Sequence, residues 1–198
     1  MTGGPGRLRA RRRIDDEWLH ALQKATFTYF WQQTNPTNGL IPDNTLAPTP
    51  ASIAGVGLAL ATYAVGVARG FVTRAQARER TLATLRFFWN STQGTDADAT
   101  GHRGFYYHFL DVKTGRRAWR CELSTIDTTI LLGGVLTAAA YFDRDSTPER
   151  EVRALADLQL EHLTVVYPGR QSYELGPEVT VLPIDTAVAA GIDSLMPR

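Results

Sequence analysis

Between Asp15 and about Gln33 the side chains Leu19, Leu22, Thr26 and Phe30, with Trp18 and Tyr29 beside them, recur at three- and four-residue steps. That spacing lines one face of an α-helix. Asn35-Pro-Thr-Asn-Gly ends the helix, because Pro removes a backbone donor and Asn-Gly favours turn conformations, and Leu40-Ile-Pro-Asp continues as an extended loop down to Pro50. Ser52 stands where it could cap a second helix, which runs through Gly55, Gly57 and a series of alanines to Gly70. Small residues let a neighbouring backbone come close, so this reads as an inner helix. Thr73 with Gln76 three residues on is a capping-box pattern for a third helix reaching Asn90. It carries Arg74, Arg78, Glu79, Arg80 and Arg86 on one side and Leu82, Leu85, Phe88 and Trp89 on the other.

Gln93 to Thr100 reads as loop, and Phe105 to Leu110 followed by Lys113-Thr-Gly-Arg predicts a short β-hairpin or ordered extended loop near 104–120, turning at Thr114-Gly115. Ser124, followed at its third position by Asp127, opens an almost uncharged helix up to Phe142. Pro148 suits the first turn of a last, charged helix ending near His162. Charged amphipathic helices thus alternate with uncharged, small-residue ones, which predicts helix pairs in two concentric layers. No repeat of about 34 residues is visible, which disfavours a tetratricopeptide-type array. From Val165 to Arg198 prolines and glycines interrupt short apolar runs, and only Thr186 to Met196 reads as helical. The expected organisation is a flexible basic lead-in over 1–14, a helical body over 15–163, and a divergent, weakly structured tail over 164–198.

Composition narrows the function classes. The chain has 198 residues, 43% of them apolar, and a formal net charge of +1, so nothing in its charge points to nucleic acid. One cysteine, Cys121, excludes an internal disulfide framework. The arginine cluster Arg11-Arg-Arg is followed by Asp15, Asp16 and Glu17 rather than by the apolar run of an export signal, so no signal peptide is read and the location stays unknown, cytoplasmic only by default. Ala51 to Ala68 is uncharged but rich in Ala and Gly and contains Ser52, Thr62 and Tyr63, which fits a buried helix rather than a membrane span. His102, His108 and Cys121 match no familiar zinc spacing, and no metal or cofactor is expected.

The chemistry concentrates where Trp119-Arg-Cys-Glu-Leu-Ser-Thr-Ile-Asp-Thr enters the uncharged helix, just after the aromatic run Gly104-Phe-Tyr-Tyr-His-Phe-Leu-Asp. Glu122 lies two positions before the cap Ser124, so the positive end of the helix favours its ionised form, as suits a base or a sugar-hydroxyl acceptor. Burial against Trp119 would instead suit an acid, and a solvated loop glutamate is the plain alternative. Asp127, in the first turn, is either a helix cap or an active-site acid. Strand alternation would set Tyr106 and His108 on one face and Phe105, Tyr107 and Phe109 on the other, with His108 either hydrogen-bonded in the core or catalytic. Ser124 lacks a nucleophile elbow, and Gly133-Gly134 falls within a helix, not a phosphate loop.

Five runs in order, Phe27-Thr-Tyr-Phe-Trp with Asn35-Pro-Thr-Asn-Gly-Leu-Ile-Pro-Asp, Ala51-Ser-Ile-Ala-Gly-Val-Gly, Arg78-Glu-Arg-Thr-Leu-Ala-Thr-Leu-Arg-Phe-Phe-Trp-Asn, Gly104-Phe-Tyr-Tyr-His-Phe-Leu-Asp and Glu122-Leu-Ser-Thr-Ile-Asp-Thr, resemble the bacterial glucoamylase-like family over about Asp15 to Leu163. The resemblance implies an all-α (α/α)6 toroid, of which about half the helix pairs are seen, and a glycoside hydrolase site linked with β-1,2-glucans. Carried over residue by residue, it implies catalytic Glu122 and Asp127 and substrate-binding Asp43, Tyr106, His108 and Trp119. Because a full toroid needs about twice these helices, the chain is expected to be a truncated member whose second carboxylate lies elsewhere. Exposed inner-helix faces would then favour self-association. The alternative is a non-catalytic glycan-binding or helical interaction module.

Overall fold

The computed structural model of the chain describes residues 5–157, 163–167, 169–176 and 179–190. They fall into two units, Met1–Ala156 and Asp157–Arg198.

The first unit is helix-rich. It contains α1 (Pro5–Gln33), β1 (Ala51–Ser52), α2 (Ile53–Ala68), α3 (Arg74–Trp89), β2 (Gly101–His102), β3 (Phe105–Tyr107), β4 (Phe109–Leu110), β5 (Leu123–Ser124), α4 (Thr125–Tyr141) and α5 (Thr147–Ala156). Helix α1 begins ten positions before the predicted Asp15, because Pro5 is tolerated at a first helical position and the Arg- and Ala-containing run after it consists of good helix formers. Residues 158–162, where the last helix was expected to end, lie outside the described residues.

The uncharged helices α2 and α4 make the most extensive helix contact, and the charged α3 and α5 lie against each other, with α2–α3, α4–α5 and α1–α2 contacts joining the two rows. The α2–α4 contact is close because glycines face each other's backbone there. The capping box of Thr73 and Gln76 forms as predicted at the start of α3. Ser124 caps α4 by accepting from the Asp127 N–H at 3.1 Å, whereas Ser52 occupies the cap position of α2 without a side-chain bond.

Arg74 of α3 clasps the far end of the helix pairs. Its Nε and Nη2 donate to the two carboxylate oxygens of Glu149, each at 2.8 Å, and Nη2 also reaches the Tyr141 carbonyl at 2.8 Å. The Arg144 N–H donates to Glu149 at 2.9 Å, so this 2%-exposed carboxylate is fully paired. The Arg74 hydrogen bonds, then the Arg144 N–H, hold its pKa down to about 2.

Between α3 and α4 the expected hairpin or ordered loop takes the form of short strands that tie it to the helix starts, with Leu110 bridged antiparallel to Arg117 across the turn. β3 pairs antiparallel with β2 and β5, and β4 pairs antiparallel with β1, matching Ala51 to Leu110 and Ser52 to Phe109. The turn falls at Thr114–Gly115 as expected: Asp111 Oδ1 accepts from the N–H groups of Lys113 and Thr114, and Gly115 takes φ +73°. Beneath these strands Leu40, Ile41, Ile53, Val56, Phe88, Tyr106, Leu110 and Leu131 form a buried cluster. The core therefore sits directly under the aromatic loop.

In the second unit, β6 (Leu163–Tyr167), β7 (Tyr173–Gly176) and β8 (Val179–Pro183) form a sheet in the order β6-β8-β7, followed by α6 (Ile184–Ala190). This tail was expected to be irregular. The runs Leu163-Thr-Val-Val-Tyr and Val179-Thr-Val-Leu-Pro are rich in β-branched residues and pair in parallel, a long-range partnership that the intervening prolines and glycines hide. Helix α6 starts two residues before the predicted Thr186, and residues 191–198 lie outside the described residues.

Candidate active site

Both inner helices begin at one place. Ile53, the first residue of α2, donates its N–H to the His108 carbonyl at 3.1 Å, and the His108 N–H donates to the Glu122 carbonyl at 3.0 Å, three residues before α4 starts. His108 is thereby fixed, through its own backbone, between two helix N-termini, whose partial positive charge favours nearby carboxylates.

The predicted alternation of faces breaks at this residue. Tyr106 and Tyr107 are both buried, at 6% and 5% exposure, because β3 stops at Tyr107 and the chain turns before β4 resumes at Phe109. The His108 ring stacks instead on Phe109, with centroids 3.8 Å apart and planes at 17°.

Two carboxylates meet that ring from opposite nitrogens. Glu122 Oε1 lies 2.9 Å from Nδ1, and Asp127 Oδ2 lies 3.6 Å from Nε2. An imidazole donates to both only when doubly protonated. The same Asp127 oxygen accepts a short hydrogen bond from the Ser124 hydroxyl, so Asp127 is both part of the helix start and a partner of the histidine. The Glu122 side chain is 67% exposed and that of Asp127 18%. Glu122 is held below the usual carboxylate range by its own backbone N–H, then by the His108 hydrogen bond, with the His108 and Arg117 charges adding to this. An ionised, water-accessible carboxylate at neutral pH is the state of a base or nucleophile rather than of a general acid.

Aromatic surface adjoins this trio. Trp119, 70% exposed, leans on Phe109 with centroids 5.3 Å apart and planes at 58°. Trp119 and Arg120 are the central residues of a turn closed by the Cys121 N–H to the Ala118 carbonyl at 3.1 Å, and both are left-handed, at φ +55° and +52°. For bulky side chains each such residue costs on the order of 1 kcal/mol and persists only where the surroundings enforce it.

Of the residues singled out from the sequence, His108, Glu122, Asp127 and Trp119 come together, the last through Phe109. Tyr106 does not join that surface: it packs edge-on against Phe88 in the core, its hydroxyl 3.5 Å from the Phe88 carbonyl, and burial raises its pKa. Asp43 is exposed in the loop between α1 and β1, its N–H donating to the Pro50 carbonyl at 2.8 Å. Asp43 contributes, after burial, to raising the pKa of Tyr29. Sequence reading passed over Phe109, which links the imidazole to the indole, and Arg117, whose guanidinium lies 4.1 Å over the Tyr107 ring. Their only sequence signal was membership of the aromatic run and of the turn after it. Among the described residues no group of three or more His, Cys, Asp or Glu is arranged to hold a metal ion, and no helix is long and apolar enough to cross a membrane.

No family model matches the chain. Over 149 residues, 72% of this chain, it is 27% identical to an exo β-1,2-glucooligosaccharide sophorohydrolase (non-reducing end) of Parabacteroides distasonis, 20% of which is covered. A solved structure of a candidate glucoamylase from Bacteroides uniformis superposes with a TM-score of 0.63 at 31% identity, over 74% of this chain and 35% of that one. A β-1,2-glucanase from Parabacteroides distasonis gives a TM-score of 0.64 at 25% identity, over 74% of this chain and 21% of the other. The chain therefore spans well under half the length of these relatives. Taken together, these likenesses support kinship with a glucoamylase-like family related to β-1,2-glucan hydrolases over the matched part of the chain.

Proposed function

We propose that this chain forms part of a glycoside hydrolase site for glucans, with β-1,2-linked glucan the substrate class, and that its helices are about half the pairs of an (α/α)6 toroid. The observation that carries this reading is the His108 ring held between Glu122 and Asp127 beside exposed Trp119. Sugar rings present C–H faces that stack on indole, and their hydroxyls and glycosidic oxygens need carboxylates for hydrogen bonding and proton transfer.

The geometry divides the labour between the acids. A glycosidase pair must leave room for the scissile bond, about 5 to 5.5 Å between carboxyls in a retaining enzyme and 6.5 to 9.5 Å in an inverting one. Here an imidazole occupies the space between Glu122 and Asp127. Glu122, open to solvent, is the group that meets substrate. Asp127, tied to Ser124, acts with it by orienting His108, and the carboxylate across the bond comes from outside the described residues. Asp43 and His108 complete the set expected at the substrate side, while Tyr106, buried against Phe88, supports that surface only from within the core.

The test is sugar release from β-1,2-glucan set beside binding of the same polymer. Turnover lost in Glu122→Gln with binding retained is the outcome expected of the enzyme. Binding without turnover, indifferent to Glu122→Gln but lost in Trp119→Ala, would favour a non-catalytic glycan-binding module.

The outward faces of the inner helices bear on assembly. Leu58 and Val65 of α2 and Ile126 and Leu136 of α4 are about half exposed or more. We infer that these faces drive self-association, and light scattering that returned a monomer mass at micromolar concentration would contradict it.

A further inference from the structure

The turn that presents Trp119 is held at its two ends by one residue and in its middle by another. The Ala118 N–H donates to the Phe109 carbonyl at 2.9 Å, and the Phe109 N–H donates to Cys121 Sγ at 3.2 Å, so both ends hang on β4. Between them stand two consecutive left-handed residues of a kind that rarely adopts that conformation, Trp119 and Arg120. Arg117 reaches the middle: its Nη2 donates to the Arg120 carbonyl at 2.8 Å while its guanidinium carbon lies 4.1 Å over the Tyr107 ring. Tyr107 is itself buried, with its hydroxyl bonded to the Gly94 carbonyl, so the cation rests on a fixed surface. Its main chain is anchored as well, the Arg117 N–H donating to the Ala99 carbonyl at 3.3 Å.

We propose that Arg117 is a positioning residue for the sugar-stacking wall: braced on Tyr107, it pins the Arg120 carbonyl, keeps the Trp119–Arg120 turn left-handed, and so stands the Trp119 indole against Phe109 beside Glu122. Arginine suits the task because one planar group stacks on a ring face and donates in its own plane at the same time. A lysine ammonium at this position would keep the cation over Tyr107 and one donor, without the fork. The inference rests on the glucan reading only in what the indole is for; how the indole is held is independent of it.

The experiment has two arms on the whole chain. The first takes the near-ultraviolet circular dichroism contributed by Trp119, as parent minus Trp119→Phe, and repeats that difference in Arg117→Ala and Arg117→Lys backgrounds. The expected result is a loss of at least half the Trp119 contribution in Arg117→Ala and its partial recovery in Arg117→Lys. A difference spectrum unchanged in Arg117→Ala would overturn the proposal. If that variant does not fold, Arg117→Met, which keeps the stem on Tyr107 and removes charge and donors, makes the same comparison. The second arm titrates sophorotriose: Arg117→Ala is expected to weaken binding about as much as Trp119→Ala does, roughly tenfold for loss of one ring contact. Unchanged affinity alongside a collapsed dichroism signal would overturn the role in binding. A parent chain that binds no sophorotriose would sink the glucan reading alone, and the dichroism arm would still uphold or overturn the clamp.

Discussion

Gly57 and Gly134 meet backbone to backbone where α2 passes α4: a Cβ on Gly134 would lie 2.1 Å from the Gly57 carbonyl oxygen, and one on Gly57 would lie 2.4 Å from that of Ile130. The obstructing atoms are main chain, so no side chain can swing aside. Gly134→Ala is expected to push the inner helices apart and lower stability by roughly 1–3 kcal/mol, despite alanine's better helix propensity. At the neighbouring Gly133 a Cβ meets nothing within 4 Å. Gly133→Ala should raise stability by up to about 1 kcal/mol. Urea unfolding of the two variants checks the contrast, and equal effects would refute the close-approach argument.

The Arg74–Glu149 clasp makes stability depend on pH in one direction. Glu149 ionises near 2 in the folded chain against an ordinary 4.5, because Arg74 and the Arg144 N–H stabilise its carboxylate. Its contribution is therefore whole above about pH 4.5 and is lost as the pH falls toward 2. Glu149→Gln removes the buried, bidentate partner of Arg74, leaving it only the exposed Asp143 at 3.1 Å, and should cost roughly 3 kcal/mol at neutral pH. Melting curves from pH 7 downward should show parent and variant converging between those two values, and a gap independent of pH would count against the clasp.

Replacing His108 by phenylalanine keeps a ring to stack on Phe109 and removes both carboxylate partners. With the imidazole hydrogen bond gone, one of the groups holding the Glu122 pKa down is lost, so that pKa is expected to rise toward its ordinary value. Carboxyl carbon chemical shifts of Glu122 across a pH titration read this directly, without substrate. If the chain turns over glucan, the acid limb of the rate profile moves upward by the same amount. A titration curve identical to the parent's would show that the His108–Glu122 contact does not persist in solution.

Trp119→Ala should weaken glucan binding about tenfold, corresponding to about 1.4 kcal/mol of ring contact, while Trp119→Phe retains part of it. The exposed indole supports no core packing that its removal would disturb, so melting temperature should scarcely change. Isothermal titration with sophorotriose beside a melting curve separates the two effects; a large loss of stability would instead mark Trp119 as structural.

Much of the helical scaffold can be read from local rules, because helix periodicity and caps act over three or four residues. The capping box at Thr73 and Gln76, the Ser124 cap and the alternation of charged with small-residue helices all belong to that range. So did the placing of Glu122 and Asp127 at a helix start, where the positive end draws acids whatever the distant chain does. What lay beyond it were relationships set by packing. Tyr106 and His108, two positions apart, part company because the strand ends between them and the core claims the tyrosine. The tail's sheet joins β6 to β8 in parallel across an intervening strand, which no local pattern announces. Which imidazole nitrogen faces which carboxylate, and the bracing of Arg117 on Tyr107, depend on chain segments brought together by the buried cluster beneath them, so only the tertiary fold could decide them.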